Sequence, residues 1–235
     1  MKTKIYSITT ILIFLTFIGC GKIKESVEKR VDEKVNKEVE KQTQEVEKQL
    51  KQADSVMKSA GEEIDKEAKV KEALDEEKIL NDQNGQWAVT ADASSTYAGE
   101  NAGKDAPWSP NKMTGKPDVE TFGDNGNAWT SKDADKGIEW VKLTFPKSVN
   151  ATDIKIRQTY GPGAIIKIEL IDDKGSSHTV WEGVDKTKYE PNKIRYFVAS
   201  FDKTEYKTKT VKITLATNSA PGWNEIDAVQ LVGTK

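Results

Sequence analysis

At Asn81-Asp82-Gln83-Asn84-Gly85 the hydrophobic period of the chain changes, and no single regular element can run through that point. Before it, from Lys22 to Leu80, there is no Pro and one Gly, Gly61, and apolar residues recur three and four positions apart. After it lie all six Trp and all seven Pro, and the apolar runs become short, alternating and β-branched. A period near 3.6 paints a stripe along a helix, whereas a period of two paints one face of a strand. The chain therefore divides into a charged helical part, about residues 20–80, a turn-rich linker at 81–85, and a β-rich part from Gln86 to Lys235.

The helical stripe consists of Ile23, Val27, Val31, Val35 and Val39, then Val46, Leu50, Ala53, Met57, Ala60 and Ile64. An eleven-residue period aligns Val35, Val46, Met57 and Ala68, which favours a nearly straight or slightly right-handed seam over a heptad coil. Acid–base neighbours four apart, such as Glu25 with Lys29 and Glu47 with Lys51, suit a solvated helix. Roughly 55 helical residues at about 1.5 Å each would make a rod of about 80 Å. Three uses of the stripe stay open: a monomeric spacer, self-association of the stalk, or adsorption on a membrane surface. Gln42 and Thr43 interrupt the seam, and Gly61 reads as either a hinge or a tolerated helical Gly.

Lys2 and Lys4 precede an apolar run from Ile5 to Ile18, which is the layout of a secretory signal peptide. The run ends Phe17-Ile18-Gly19-Cys20-Gly21, and this resembles the lipobox of bacterial lipoproteins. The resemblance implies a signal peptide over residues 1–19 and lipidation at Cys20. It also implies a bacterial cell-envelope location, with the outer membrane expected and the side undetermined. Several acyl chains on one residue anchor firmly, because each buried methylene contributes about 0.8 kcal/mol. A net charge of -2 offers no basic field for nucleic acid. With one Cys and one His, an internal disulfide and a Cys/His zinc site are both excluded.

In the β-rich part the expected strands include Trp87–Ser94, Ala128–Ser131, Ile138–Phe145, Asp153–Tyr160 and Glu225–Val232, separated by turns such as Asp172-Asp173-Lys174-Gly175. Eight or nine short strands with no helix point to an antiparallel sandwich or jelly roll. Alternation places Ile154, Ile156, Val211, Ile213, Leu215, Val229 and Leu231 inside, and Lys155, Lys212 and Gln230 outside. Trp129, Trp140 and Trp181 are expected in the core, while Trp223 suits either burial or exposure.

Ala91-Asp92-Ala93-Ser94-Ser95, Ala128-Trp129-Thr130-Ser131, Glu139-Trp140-Val141-Lys142-Leu143 and the closing Asn224-Glu225-Ile226 are similar to discoidin domains, the coagulation-factor type C family of galactose-binding-like sandwiches. A bacterial branch of that superfamily is resembled through Thr114-Gly115-Lys116-Pro117-Asp118, Gln158–Ala164 and Pro221–Asp227. The fold implied is an eight-stranded antiparallel jelly roll. The resemblance also implies a structural Ca²⁺ held by Thr114, Gly115, Asp118, Asn224 and Glu225, since hard Ca²⁺ needs six to eight oxygens from flexible loops. The bland alternative is that Asp118 and Glu225 only hydrogen-bond loop amides. Asp124-Asn125-Gly126-Asn127 reads as a second cation loop or a solvated turn.

Ligands of this fold sit among loops at one end of the sandwich, which here gather Tyr160, Arg157, Asn218 and Trp223, with Trp108 nearby. Aromatic faces stack on sugar C–H faces, and Asn and Arg supply directed hydrogen bonds. Arg157 reads equally as a strand residue paired with an acid. No Ser elbow, phosphate-cradling Gly loop or HExxH is present, and His178 follows a Gly-Ser-Ser turn. The sequence thus points to a non-enzymatic lipoprotein whose sandwich binds carbohydrate or another envelope polymer. The alternative is an assembly lipoprotein whose sandwich docks a protein partner while its stalk self-associates.

Overall fold

A computed structural model describes residues 21–99 and 101–235, with side chains from residue 28 onward. The expected signal peptide and the lipidation site Cys20 lie outside the described residues. Helix α1 runs Gly21–Leu80 without a break. Among the described residues no helix is long and apolar enough to cross a membrane. The described residues form two compact units, residues 21–71 and 72–235.

In the first unit the stripe is bare. Val31, Val35, Val39, Val46, Leu50, Met57 and Ile64 are each more than half exposed. Thr43 is absorbed because its hydroxyl donates to the Val39 carbonyl at 2.8 Å, one turn back. Gly61 sits in open space inside the unbroken helix and does not interrupt it. The expected Glu47–Lys51 pair does not close, whereas Lys69 and Asp65 meet at 2.6 Å.

The second unit is an antiparallel sandwich. Its strands are β1 (Gly85–Trp87), β2 (Thr90–Ala93), β3 (Ile138–Tyr160), β4 (Ile165–Asp172), β5 (Ser177–Glu182), β6 (Arg195–Ser200), β7 (Thr208–Ala216) and β8 (Glu225–Thr234). One sheet has the order β2-β3-β7-β4-β5 and the other β1-β8-β3-β6. The sheets share β3. Its first half pairs with β2 and β7, the pairing slips between Thr144 and Val149, and its second half pairs with β8 and β6. The two strands expected at Ile138–Phe145 and Asp153–Tyr160 are therefore one strand that changes sheet. Pro146 interrupts the alternation at the crossing without ending the strand.

Ala128–Ser131, expected as a strand, makes only a single bridge, Trp129 to Ile226. Trp129 is wholly buried and its indole N–H donates to the Ser95 carbonyl at 3.0 Å. Trp140 is not in the core. Alternation along β3 turns Val141, Leu143 and Phe145 inward, which leaves Trp140 on the outer face with the Lys212 ammonium 5.8 Å from its ring centre. Trp181 is half-buried at the sandwich edge, edge-on to Phe197.

The expected inward residues Ile154, Ile156, Val211, Ile213, Leu215, Val229 and Leu231 are all buried in one core. Gln230, expected outside, is buried too. Its side-chain amide donates to the Ile79 carbonyl at 2.7 Å, so the end of α1 covers the outer face of β8. Asp82 pairs with Lys155 at 2.9 Å on the same face, and Glu72 pairs with Arg195. The compact unit accordingly begins at Glu72 rather than at Gln86.

Candidate functional site

β8 is buried from Glu225 to Gly233, so a carboxylate at its start must find partners inside the fold. Glu225 is 1% exposed and accepts from the Asn125 backbone N–H at 3.1 Å. Burial pushes its carboxyl up to about 8, the Asn125 amide opposes this, and neighbouring Asp124 adds to the rise. Two residues on, Asp227 has the Arg157 guanidinium at 2.6 Å, and Arg157 also donates to the Val119 carbonyl. Burial still raises the Asp227 carboxyl, against the pull of Arg157.

Beside Glu225 opens a cleft of about 230 Å³ lined by Tyr97, Trp108, Asp124, Thr130, Tyr160, Trp223 and Glu225. Tyr97 packs edge-on against Trp108 at 5.3 Å and against Trp223 at 5.8 Å between ring centres. Phe122 packs edge-on against Tyr160 at 5.6 Å. Trp223 is 37% exposed, so it borders solvent while holding the cluster.

Local backbone chemistry fixes these rings. Trp108 has φ 58°, an unusual value for a bulky side chain, and is held there by its N–H to Gly126 O at 2.9 Å and by Thr96 Oγ1 donating to its carbonyl at 2.7 Å. Its indole N–H donates to Asp124 Oδ1 at 3.0 Å. Gly161, with φ 50°, lets β3 end against the Trp223 segment. A Cβ there would lie 2.2 Å from the Trp223 carbonyl oxygen, while the Asn224 amide donates to Gly161 O at 2.6 Å.

Of the ligand residues expected from sequence, Tyr160 and Trp223 share this cleft, with Trp108 beside them. Arg157 does not line it. Arg157 is buried and lines a separate recess of about 290 Å³ with Glu76, Glu120, Phe122 and Tyr196. Asn218 is exposed on the short turn Thr217–Ser219 and does not line the cleft. Tyr97, Asp124 and Thr130 line it without having been singled out for it. Tyr97 stands two residues after Ser95 and Thr130 next to buried Trp129, which was the available signal.

A third recess, about 360 Å³, lies over Asp92, Ser94, Ser95, Thr96, Lys104 and Lys132. It is larger than the cleft but has no aromatic wall.

The expected calcium set is drawn from the loop before β3 and from the start of β8. Glu225 and Asn224 stand at the start of β8, and the buried Asn224 Oδ1 has no partner. Asp118, however, is exposed with its backbone N–H on Asp227, and the Gly115 N–H is on Ala88 O, whose own N–H reaches Val229. The Thr114 hydroxyl donates to Asn111 O at 2.7 Å, which leaves the Thr114 carbonyl, the expected donor, untouched. Among the described residues no three His, Cys, Asp or Glu side chains gather as a metal cluster.

Fold and cleft together define a protein built as an antiparallel sandwich following a long helix, with an aromatic, acid-bearing cleft among its loops. The family model described as Pappalysin-1, SD scarf domain, C-terminal, matches residues 77–235, and the protein belongs to that family. Comparison with curated protein sequences finds no match. Among solved structures, the chain is similar to chitosan-binding module 1 of a chitosanase/glucanase from Paenibacillus sp. IK-5. Identity is 16%, coverage is 61% of this chain and 94% of that one, and the TM-score is 0.44. It is similar to the family 32 carbohydrate-binding module of NanJ from C. perfringens, solved with galactose, at 16% identity, 63% and 98% coverage and a TM-score of 0.41. Reduced XRCC1, solved bound to the DNA polymerase β catalytic domain, is similar at 14% identity, 64% and 99% coverage and a TM-score of 0.45. None of the three is near enough to lend this chain a ligand.

Proposed function

We propose that this protein is a non-catalytic binding module whose cleft takes a carbohydrate or a related envelope polymer, and that it is held at the bacterial envelope by a lipid on Cys20. The observation that carries the binding reading is the set of rings Tyr97, Trp108, Tyr160 and Trp223 around one open cleft. Each T-shaped pair occupies a face of only one of its rings, so the cluster can still offer a ring face to the apolar face of a sugar, and the acids and Thr130 beside it can direct hydroxyl groups.

A glycan and polymer panel against the full chain, followed by calorimetry, tests it. Trp223→Ala and Tyr97→Ala should each weaken the best binder by roughly tenfold or more. If nothing in the panel binds, or if both variants bind unchanged, the reading fails. Metabolic labelling with a fatty acid, lost in Cys20→Ala, tests the anchor.

The bare stripe on α1 favours a second reading, in which this is an assembly protein whose stalk pairs with a second copy. Helices draw most of their stability from packing an apolar face, and this one has none packed along residues 31–64. Sedimentation equilibrium decides it. A monomer at tens of micromolar removes that reading.

A further inference from the structure

We infer that the ligand of the aromatic cleft carries a positively charged nitrogen, as a protonated amine or a quaternary ammonium. The inference rests on the cleft being the binding site proposed above. Two acids face the cleft, the exposed Asp124 and the buried Glu225, whose carboxyl burial keeps largely protonated at neutral pH, and no Lys, Arg or His lines it. Among the described residues neither acid has an ion-pair partner; Glu225 takes the Asn125 backbone N–H and lies against Asp124, and Asp124 takes the Trp108 indole N–H.

The same strand provides the contrast. Asp227, equally buried, has a guanidinium built against it at 2.6 Å. Where the fold needs a buried acid balanced for its own sake, it supplies the cation. At the cleft the buried Glu225 is instead kept neutral, and the Asp124 charge stands beside aromatic rings, the surface over which an ammonium is attracted by the ring quadrupole. A neutral sugar would stack there without engaging the Asp124 charge, and an anionic one would be repelled by it. A cation meets both surfaces at once.

The experiment is calorimetry on the full chain, with chelator present, using a glucosamine oligomer, the N-acetylated oligomer of equal length, and tetramethylammonium. The amine oligomer should bind at least tenfold more tightly than its acetylated counterpart. Asp124→Asn, an exposed position, should remove that preference. Equal or tighter binding of the acetylated oligomer overturns the charge inference and leaves the carbohydrate reading standing. Tetramethylammonium binding that needs Asp124, with neither oligomer bound, supports the charge inference and ends the carbohydrate reading. A preference that survives Asp124→Asn, or Asp124-dependent binding of Ca²⁺ with no ammonium binding once chelator is omitted, overturns the inference.

Discussion

Glu225 and Asp227 lie two residues apart on one buried strand, yet the fold treats their charges in opposite ways. Arg157 reaches Asp227 at 2.6 Å, both side chains being almost fully buried. Removing one member of such a pair strands the other charge, so Arg157→Ala should cost about 3–5 kcal/mol in a denaturant melt. Glu225 has no such partner, and its carboxyl titrates near 8 against an ordinary value of 4.5. The folded state therefore holds this proton after the unfolded state has lost it. Its contribution to stability is complete below about pH 4.5 and is lost as pH rises towards 8, by about 1.4 kcal/mol per pH unit at most. Melting temperatures recorded with chelator from pH 4.5 to 8.5 should fall in the parent protein. The fall should be shallower in Glu225→Gln, and an identical profile in the two would refute the assignment. Both acids were visible in the closing Asn224–Asp227 stretch. Which one had a cation was not, because Arg157 lies 70 residues away and reaches Asp227 only through strand pairing.

Strand β3 and the turn after it show what an element can settle beyond its own period. Alternation correctly placed Ile154 and Ile156 inside, but it could not reveal that one strand serves both sheets. The crossing around Pro146 is paid for by partners on four other strands. Where β3 ends, Gly161 lets the Trp223 segment come close. Gly161→Ala should lower stability by about 1–2 kcal/mol through its left-handed backbone alone. It should also displace Trp223, so that ligand affinity falls along with the melting temperature, as read by calorimetry and thermal denaturation. The loop carrying Tyr97 and Trp108 has no period at all, and sequence alone did not bring Tyr97 into the site. Its rings are positioned by hydrogen bonds to their backbone from residues 12 to 33 positions away.

The two compact units carry different kinds of information. The helix was legible because its signal is local: composition, spacing and the absence of Pro already specify Gly21–Leu80. The second unit starts inside that helix, at Glu72, because Gln230, Lys155, Arg157 and Arg195 all take partners between Glu72 and Asp82. A fragment beginning at Gln86 should accordingly be less stable than one beginning at Glu72 by about 2 kcal/mol or more, since a buried Gln230 amide loses its acceptor. Chemical denaturation of both fragments measures the difference, and equal midpoints would show the helix end to be dispensable. By itself, the sequence determined what depends on neighbours within a few positions: the helix, its bare stripe, the alternation of the core strands and the sandwich class. Only the tertiary structure decided which acids are paired, which Trp is buried and which rings share a cleft, because each is set by groups brought together across tens of residues by sheet pairing.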